Sequence, residues 1–198
     1  MSLAVTPDGT RVVVTGDSDG SDGLSEYATV AYDSAGTQRW ASRYDGPGPY
    51  FGDVVKSIGV APDGTRVYVT GWSDDGLPQG FDFATIAYDV ATGNEDWQAK
   101  YDSPGPGVDY AYSLAVSPDG SHVYVSGSGG YPYSEFLTVD YAAANGAQLS
   151  VFQYVDPSST YDFAFASAVS PLGTMLFQTG ETFVDGQDDF LTVAFTVG

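Results

Sequence analysis

The residues of this chain that could do chemistry are almost all carboxylates. Its 198 residues hold 26 Asp and Glu, six Lys and Arg, one His and no Cys. The missing Cys removes disulfides, thiolate metal sites and cysteine nucleophiles. The one His, His122, aligns with Arg11 and Arg66 just after a tight turn, where a solvated residue is expected. It can build neither a multi-His metal centre nor a Ser-His-Asp triad with this inventory. No phosphate loop or dinucleotide fingerprint is present. What remains is oxygen chemistry: a hard cation held by carboxylates, or two carboxylates acting across a cleft.

For a cation, two segments stand out, Asp17-Ser18-Asp19-Gly20-Ser21-Asp22-Gly23 and Ser73-Asp74-Asp75-Gly76. Calcium takes six to eight oxygens from carboxylates, carbonyls and water. Asp17, Asp19, Asp22, Asp74 and Asp75 are therefore the candidate metal ligands, with calcium the expected ion. The first segment is no EF-hand: Asp22 stands where that loop needs Gly, and no Glu closes it at the twelfth position. For a carboxylate pair of the glycosidase kind, the candidates recur along the chain. Asp53, Asp109 and Asp162 form one series, and Glu26, Asp82, Glu135 and Asp189 another. Residues present in every repeat are explained more simply by architecture than by one active site, so the hydrolase reading stands second.

The elements that must position these groups are repeats. A Pro-x-Gly turn recurs at Pro7, Pro62, Pro118 and Pro171, spaced 55, 56 and 53 residues apart. A short apolar segment precedes each turn. After it come Val12-Val13-Val14-Thr15-Gly16, Val67-Tyr68-Val69-Thr70-Gly71, Val123-Tyr124-Val125-Ser126-Gly127 and Leu176-Phe177-Gln178-Thr179-Gly180. A third segment runs from Tyr27, Phe83, Phe136 and Phe190, and a fourth from Arg39, Asp96 and Leu149. All are five to seven residues long, β-branched or aromatic, and bounded by Gly, Pro, Asp or Ser, which are strand signals. Four short antiparallel strands per repeat make the blade of a β-propeller. The fold expected is all-β, one domain of four repeats, 2–56, 57–112, 113–165 and 166–198. The last repeat lacks its outer strand, leaving Phe190–Phe195 as an open edge suited to self-association. Three assemblies stay open: a closed ring of four blades, a ring of eight blades from two chains, or a stretch of a longer array.

Val67-Tyr68-Val69-Thr70-Gly71, Ala87-Tyr88-Asp89-Val90-Ala91-Thr92-Gly93 and Trp97, read in order, resemble the repeats of the PQQ-like and YVTN-type bacterial β-propeller families. Repeat 1 matches at Tyr32-Asp33 and Trp40. Repeat 3 departs, with Tyr141-Ala142 and with Val151 aligned on Trp97. The resemblance implies propeller architecture. It does not imply a quinone cofactor, because the few Arg residues all belong to the repeat pattern.

Charge and loops then bound the partners. The formal charge is −20, yet charged residues are only 16% of the chain, below the roughly one quarter usual for soluble proteins. Bases are missing rather than acids abundant. Nucleic acid and an anionic membrane surface are thereby excluded as partners, and no apolar run reaches membrane-spanning length. Cations, carbohydrate or a basic protein fit, and the composition suits an extracellular or cell-envelope setting. The loops between blades and those from second to third strands emerge on one face. The expected ligand contacts there are Tyr50, Phe51, Asp53, Asp109, Tyr110 and Tyr131. Loops on a rigid scaffold are where binding is placed. The first expectation is thus a non-enzymatic binding or scaffold propeller. A hydrolase and a self-assembling structural fragment are the alternatives.

Overall fold

A computed structural model describes every residue except 77–79, 131–133 and 157. The described residues form four antiparallel sheets in chain order. Blade 1 comprises β1 (Ser2–Val5), β2 (Arg11–Asp19), β3 (Ser25–Asp33) and β4 (Gln38–Tyr44). Blade 2 comprises β5 (Val54–Val60), β6 (Arg66–Asp74), β7 (Phe81–Asp89) and β8 (Glu95–Tyr101). Blade 3 comprises β9 (Tyr110–Val116), β10 (His122–Gly129), β11 (Glu135–Ala142) and β12 (Gln148–Tyr154). Blade 4 has three strands, β13 (Ser159–Val169), β14 (Met175–Val184) and β15 (Gln187–Thr196). The all-β architecture and the missing outer strand agree with the sequence reading. The repeat boundaries do not: strands β5, β9 and β13 begin ahead of 57, 113 and 166, because a bulge in each extends pairing beyond the apolar triplet.

Each blade is closed at its inner end by the Pro-x-Gly hairpin. Gly9, Gly64, Gly120 and Gly173 sit there at φ of 69°, 73°, 75° and 71°, a region that L side chains rarely enter. Where the turn carries Asp, the carboxylate holds it shut. Thr6 and Ser117 each donate a hydroxyl proton, to Asp8 and Asp119 respectively, both at 2.6 Å.

The blades stack through alternate faces of their second strands, as the period of two dictates. Val67 and Val69 face blade 1 and meet Val13, Ala31 and Trp40. Tyr68 faces the other way, into Val123, Val125, Leu137 and Val139 of blade 3. Tyr124 repeats this toward Leu176 and Val197 of blade 4. On the outer strands, the Trp40 indole N–H donates to the Val90 carbonyl at 2.8 Å, and that of Trp97 to Ala143 at 3.0 Å. Their rings lie on Gly93 and Gly146, where any Cβ would collide with the indole.

Blade 3 has no Trp, and the register shows what replaces it. Ser150 pairs with Asp140 as Trp97 pairs with Ala87, so Ser150 and not Val151 occupies the Trp position. The same bulge lies beside Tyr88 and Tyr141, so the two blades keep one register through it. Asp140 is buried and meets His122 Nδ1 at 2.9 Å. The third interface is filled by Phe152 and Phe195, with ring centroids 5.5 Å apart.

The four blades do not close on themselves. Leu3 and Val5 in blade 1 are 65% and 52% exposed, and Phe165 and Phe177 in blade 4 are 47% and 43% exposed. Phe177 stands where Tyr68 and Tyr124 each pack on the next blade, and Val12 and Val14 stand where Val67 and Val69 pack on the preceding one. The closed four-blade ring is therefore set aside, and the chain is an open arc with a blade face uncovered at each end.

Candidate functional site

The first acidic series is architectural. Asp53 is 2% exposed and accepts hydrogen bonds from the Gly46 N–H at 2.5 Å and the Asp74 N–H at 3.1 Å. Asp109, 1% exposed, accepts from the Ser103 N–H at 2.5 Å and the Ser103 hydroxyl at 2.7 Å. Asp162 accepts from the Ser159 hydroxyl at 2.7 Å. Their own backbone N–H groups donate to the carbonyls of Ser25 and Phe81, which open the third strands of blades 1 and 2, and of Ser134, just before that of blade 3. Each Asp thus latches one inter-blade loop. Burial pushes the Asp53 and Asp109 carboxyls above the usual range, and the donated hydrogen bonds offset part of the rise. Both side chains are turned into the loops they close and away from open solvent.

The expected calcium ligands do not converge. Asp17 and Asp19 lie on β2, which runs on through the segment that reads as a loop. Asp17 accepts from the Val55 N–H at 2.8 Å, and Asp22 from the Leu24 N–H at 2.9 Å. Asp74 is buried and accepts from the N–H groups of Tyr50, Phe51 and Gly76. Asp75 pairs with Lys100. Asp17, Asp22 and Asp74 thus spend carboxylate oxygens on backbone N–H groups that strand pairing and loop closure place beside them.

Among the described residues, carboxylates converge at one place that the sequence did not single out as a metal site. Oxygens of Asp82, Asp102 and Asp109 lie within 4.8 Å of one another. Asp82 opens β7, Asp102 follows β8, and Asp109 precedes β9, so the cluster sits where blade 2 passes to blade 3. The corresponding acid in blade 1, Glu26, meets Arg43 at 3.0 Å, and that in blade 3, Glu135, accepts from Gln153. In blade 2 the corresponding base is Lys100, which pairs with Asp75 and donates to the Ser73 hydroxyl at 3.3 Å. Asp82, 1% exposed, is left with a buried Oδ1 that has no hydrogen-bond partner. Burial and the neighbouring acids Asp75, Asp102 and Asp109 push its carboxyl up to about 8.

The second feature is a ladder of aromatic rings on the same loop-bearing side. Phe51 meets Phe81 at 5.6 Å, and Phe81 meets Tyr110 at 5.9 Å. Trp72 sits edge-on to Tyr110 at 4.9 Å and to Tyr112 at 5.6 Å. Tyr112 reaches Phe165 at 5.1 Å, Phe163 stacks parallel to Phe165, and Tyr161 stacks on Phe183 at 4.8 Å. The Lys56 ammonium lies 4.4 Å from the centre of the Trp72 ring. Expected contacts Phe51 and Tyr110 belong to this ladder. Tyr50 is exposed beside it, and Tyr131 lies outside the described residues. Trp72, Tyr112, Phe163 and Phe165 were missed. Their signal was available as Tyr110-Ala-Tyr112 and Tyr161-Asp-Phe163-Ala-Phe165, where a spacing of two puts the rings on one strand face.

No protein-family description and no curated relative matches this chain. Solved structures do. A chain of the mitotic checkpoint complex aligns with 99% of this chain at 15% identity and a TM-score of 0.59, over 48% of its own length. The Cps50 (Swd1) β-propeller domain of Myceliophteria thermophila aligns with 96% at 10% identity and a TM-score of 0.52, over 53% of its length. The periplasmic gluconolactonase of Pseudomonas aeruginosa aligns with 87% at 16% identity and a TM-score of 0.54, over 49% of its length. The chain therefore has the β-propeller fold and spans about half the length of these structures. The architecture hosts enzymes and complex components alike, so function has to be argued from the site.

Proposed function

We propose that this chain is a binding propeller with no reaction of its own, and that it grips a basic segment of a partner protein along the aromatic ladder. The observation that carries this reading is the run of half-exposed rings from Phe51 to Phe165, crossing three blades in a chain of net charge −20. Cationic side chains bind aromatic faces through the ring quadrupole, and the acidic field steers basic partners toward them. Lys56 over Trp72 is an internal example of the contact proposed. Among the described residues, Asp82 and Asp109, the two acids of the repeated series that converge, are each 1% exposed, which speaks against the hydrolase alternative. An extracellular or cell-envelope setting goes with this reading on composition alone.

Trp72 supplies the reporter, because Trp40 and Trp97 are buried in blade interfaces. Titration with octa-arginine or octa-lysine should quench its fluorescence. Tyr110→Ala with Tyr112→Ala leaves the charge and the reporter in place and should abolish the quench. Equal binding by that variant would mean that charge alone attracts the peptide, and the ladder would lose its role. Response to cellohexaose instead of peptide would turn the reading to carbohydrate.

A further inference from the structure

We propose that Asp82, Asp102 and Asp109 form a binding site for a hard divalent cation, calcium in the first instance, at the junction of blades 2 and 3. Three observations meet there. The carboxylate oxygens lie within 4.8 Å of one another, no farther apart than two opposite ligands on one calcium ion at about 2.4 Å each. The donors are all oxygen, which suits calcium or magnesium rather than a softer metal. Asp82 is 1% exposed, and its Oδ1 is buried without a partner. Buried polar atoms are almost always satisfied, so a buried carboxylate with an orphan oxygen, clustered with two further carboxylates, marks a place for a positive charge.

The repeats act as internal controls. At the junction of blades 1 and 2 the corresponding acids are Glu26, Asp45 and Asp53, and Arg43 already neutralises Glu26. At the junction of blades 3 and 4 the middle acid is replaced by Val155, and Gln153 partners Glu135. Between blades 2 and 3 all three acids are present, and Lys100 has been drawn away to Asp75. Asp82 is also one carbon shorter than Glu26 and Glu135 at the same position of blades 1 and 3. Asp102 is exposed, leaving one side of the ion open to water. Asp109 would bind the ion while holding Ser103, so the cation would brace the loop that joins the two blades. A proton shared between Asp82 and Asp75 is the competing way to relieve the same charge.

The test uses the full chain stripped with EDTA. Calorimetric titration with calcium chloride should show binding at the level of one ion. The unfolding midpoint should rise by about 2–4 °C at a hundredfold the dissociation constant. Asp102→Asn, at an exposed position, should weaken calcium binding at least tenfold. Asp82→Asn should abolish the calcium-dependent rise while raising the midpoint of the metal-free protein, because it removes a buried carboxyl crowded by Asp102 and Asp109. Asp17→Asn with Asp19→Asn should leave the response intact. Absence of calcium heat and of any midpoint change would overturn the proposal. So would a calcium response that survives both Asp82→Asn and Asp102→Asn. Stabilisation by Asp82→Asn in a protein that binds no cation would assign the site to the shared proton instead.

Discussion

Lys100 pairs with Asp75 and leaves Asp82 Oδ1 buried without a partner, although its counterpart Arg43 meets Glu26 directly. One diverted base makes blade 2 electrostatically unlike its neighbours while the backbone repeat stays the same. Lys100→Met should therefore cost more than an ordinary surface pair, about 1–2 kcal/mol. The loss should be larger at low salt and smaller when calcium is added. Urea unfolding of both proteins at two ionic strengths checks this, and a salt-independent loss would indicate packing instead.

The indole of Trp97 joins blade 2 to blade 3 through one hydrogen bond and the flat surface of Gly146. Trp97→Phe should cost about 1 kcal/mol, because the Ala143 carbonyl keeps only the longer bond from the Tyr68 hydroxyl at 3.4 Å, and Trp97→Ala about 3–5 kcal/mol. Gly146→Ala should destabilise too, since φ is 70° and the new methyl meets the ring. Guanidinium unfolding measures all three. A neutral Gly146→Ala would mean the ring moves aside freely.

Stability should peak at mildly acidic pH. The Asp119 carboxyl is held below its ordinary value by the Ser117 and Ser121 hydroxyls, and that of Asp8 by the hydroxyl of Thr6 and by Thr10. A depressed folded-state carboxyl contributes stability above the unfolded value of 3.8 that is lost as pH falls below it. The Asp53 and Asp140 carboxyls are raised by burial. Each therefore costs stability at neutral pH, and the cost is relieved as pH falls toward 3.8. Relief of the net negative charge acts in the same direction. Unfolding midpoints from about pH 8 to about pH 2 should rise and then fall, and Asp119→Asn should flatten the acid limb. A steady decline from neutral pH would contradict the assignment of Asp53 and Asp140.

The uncovered faces predict self-association. Phe177 takes the place of Tyr68 and Tyr124, which cross to the next blade, and Phe190 on the edge strand is 85% exposed. Sedimentation should show concentration-dependent association of this chain, reduced by Phe177→Asp. Deleting Gln187 to Gly198 should abolish it if β15 is the contact. An unchanged mass in both would leave the end faces without a role in assembly.

Much of this protein is legible in its sequence because a repeat declares itself locally. The Pro-x-Gly spacing, the Val-Tyr-Val strands and Trp40 with Trp97 determine the blades, their count and the missing outer strand. Strand period and turn chemistry need no distant contacts to act. The position of each carboxylate is different. Asp17 and Asp74 look like cation ligands in a polar run, yet strand β2 continues through one and loop N–H groups surround the other. Asp82, Asp102 and Asp109 are 20 and 7 residues apart in the chain, and only the passage from blade 2 to blade 3 brings their oxygens together. Whether Lys100 turns to Asp82 or to Asp75 is a choice among side chains packed across three strands. The aromatic ladder is decided in the same way, by strands from successive blades laid side by side. Local pattern specifies the blades; the angle at which they stack specifies the arc, the ladder and the acidic junction.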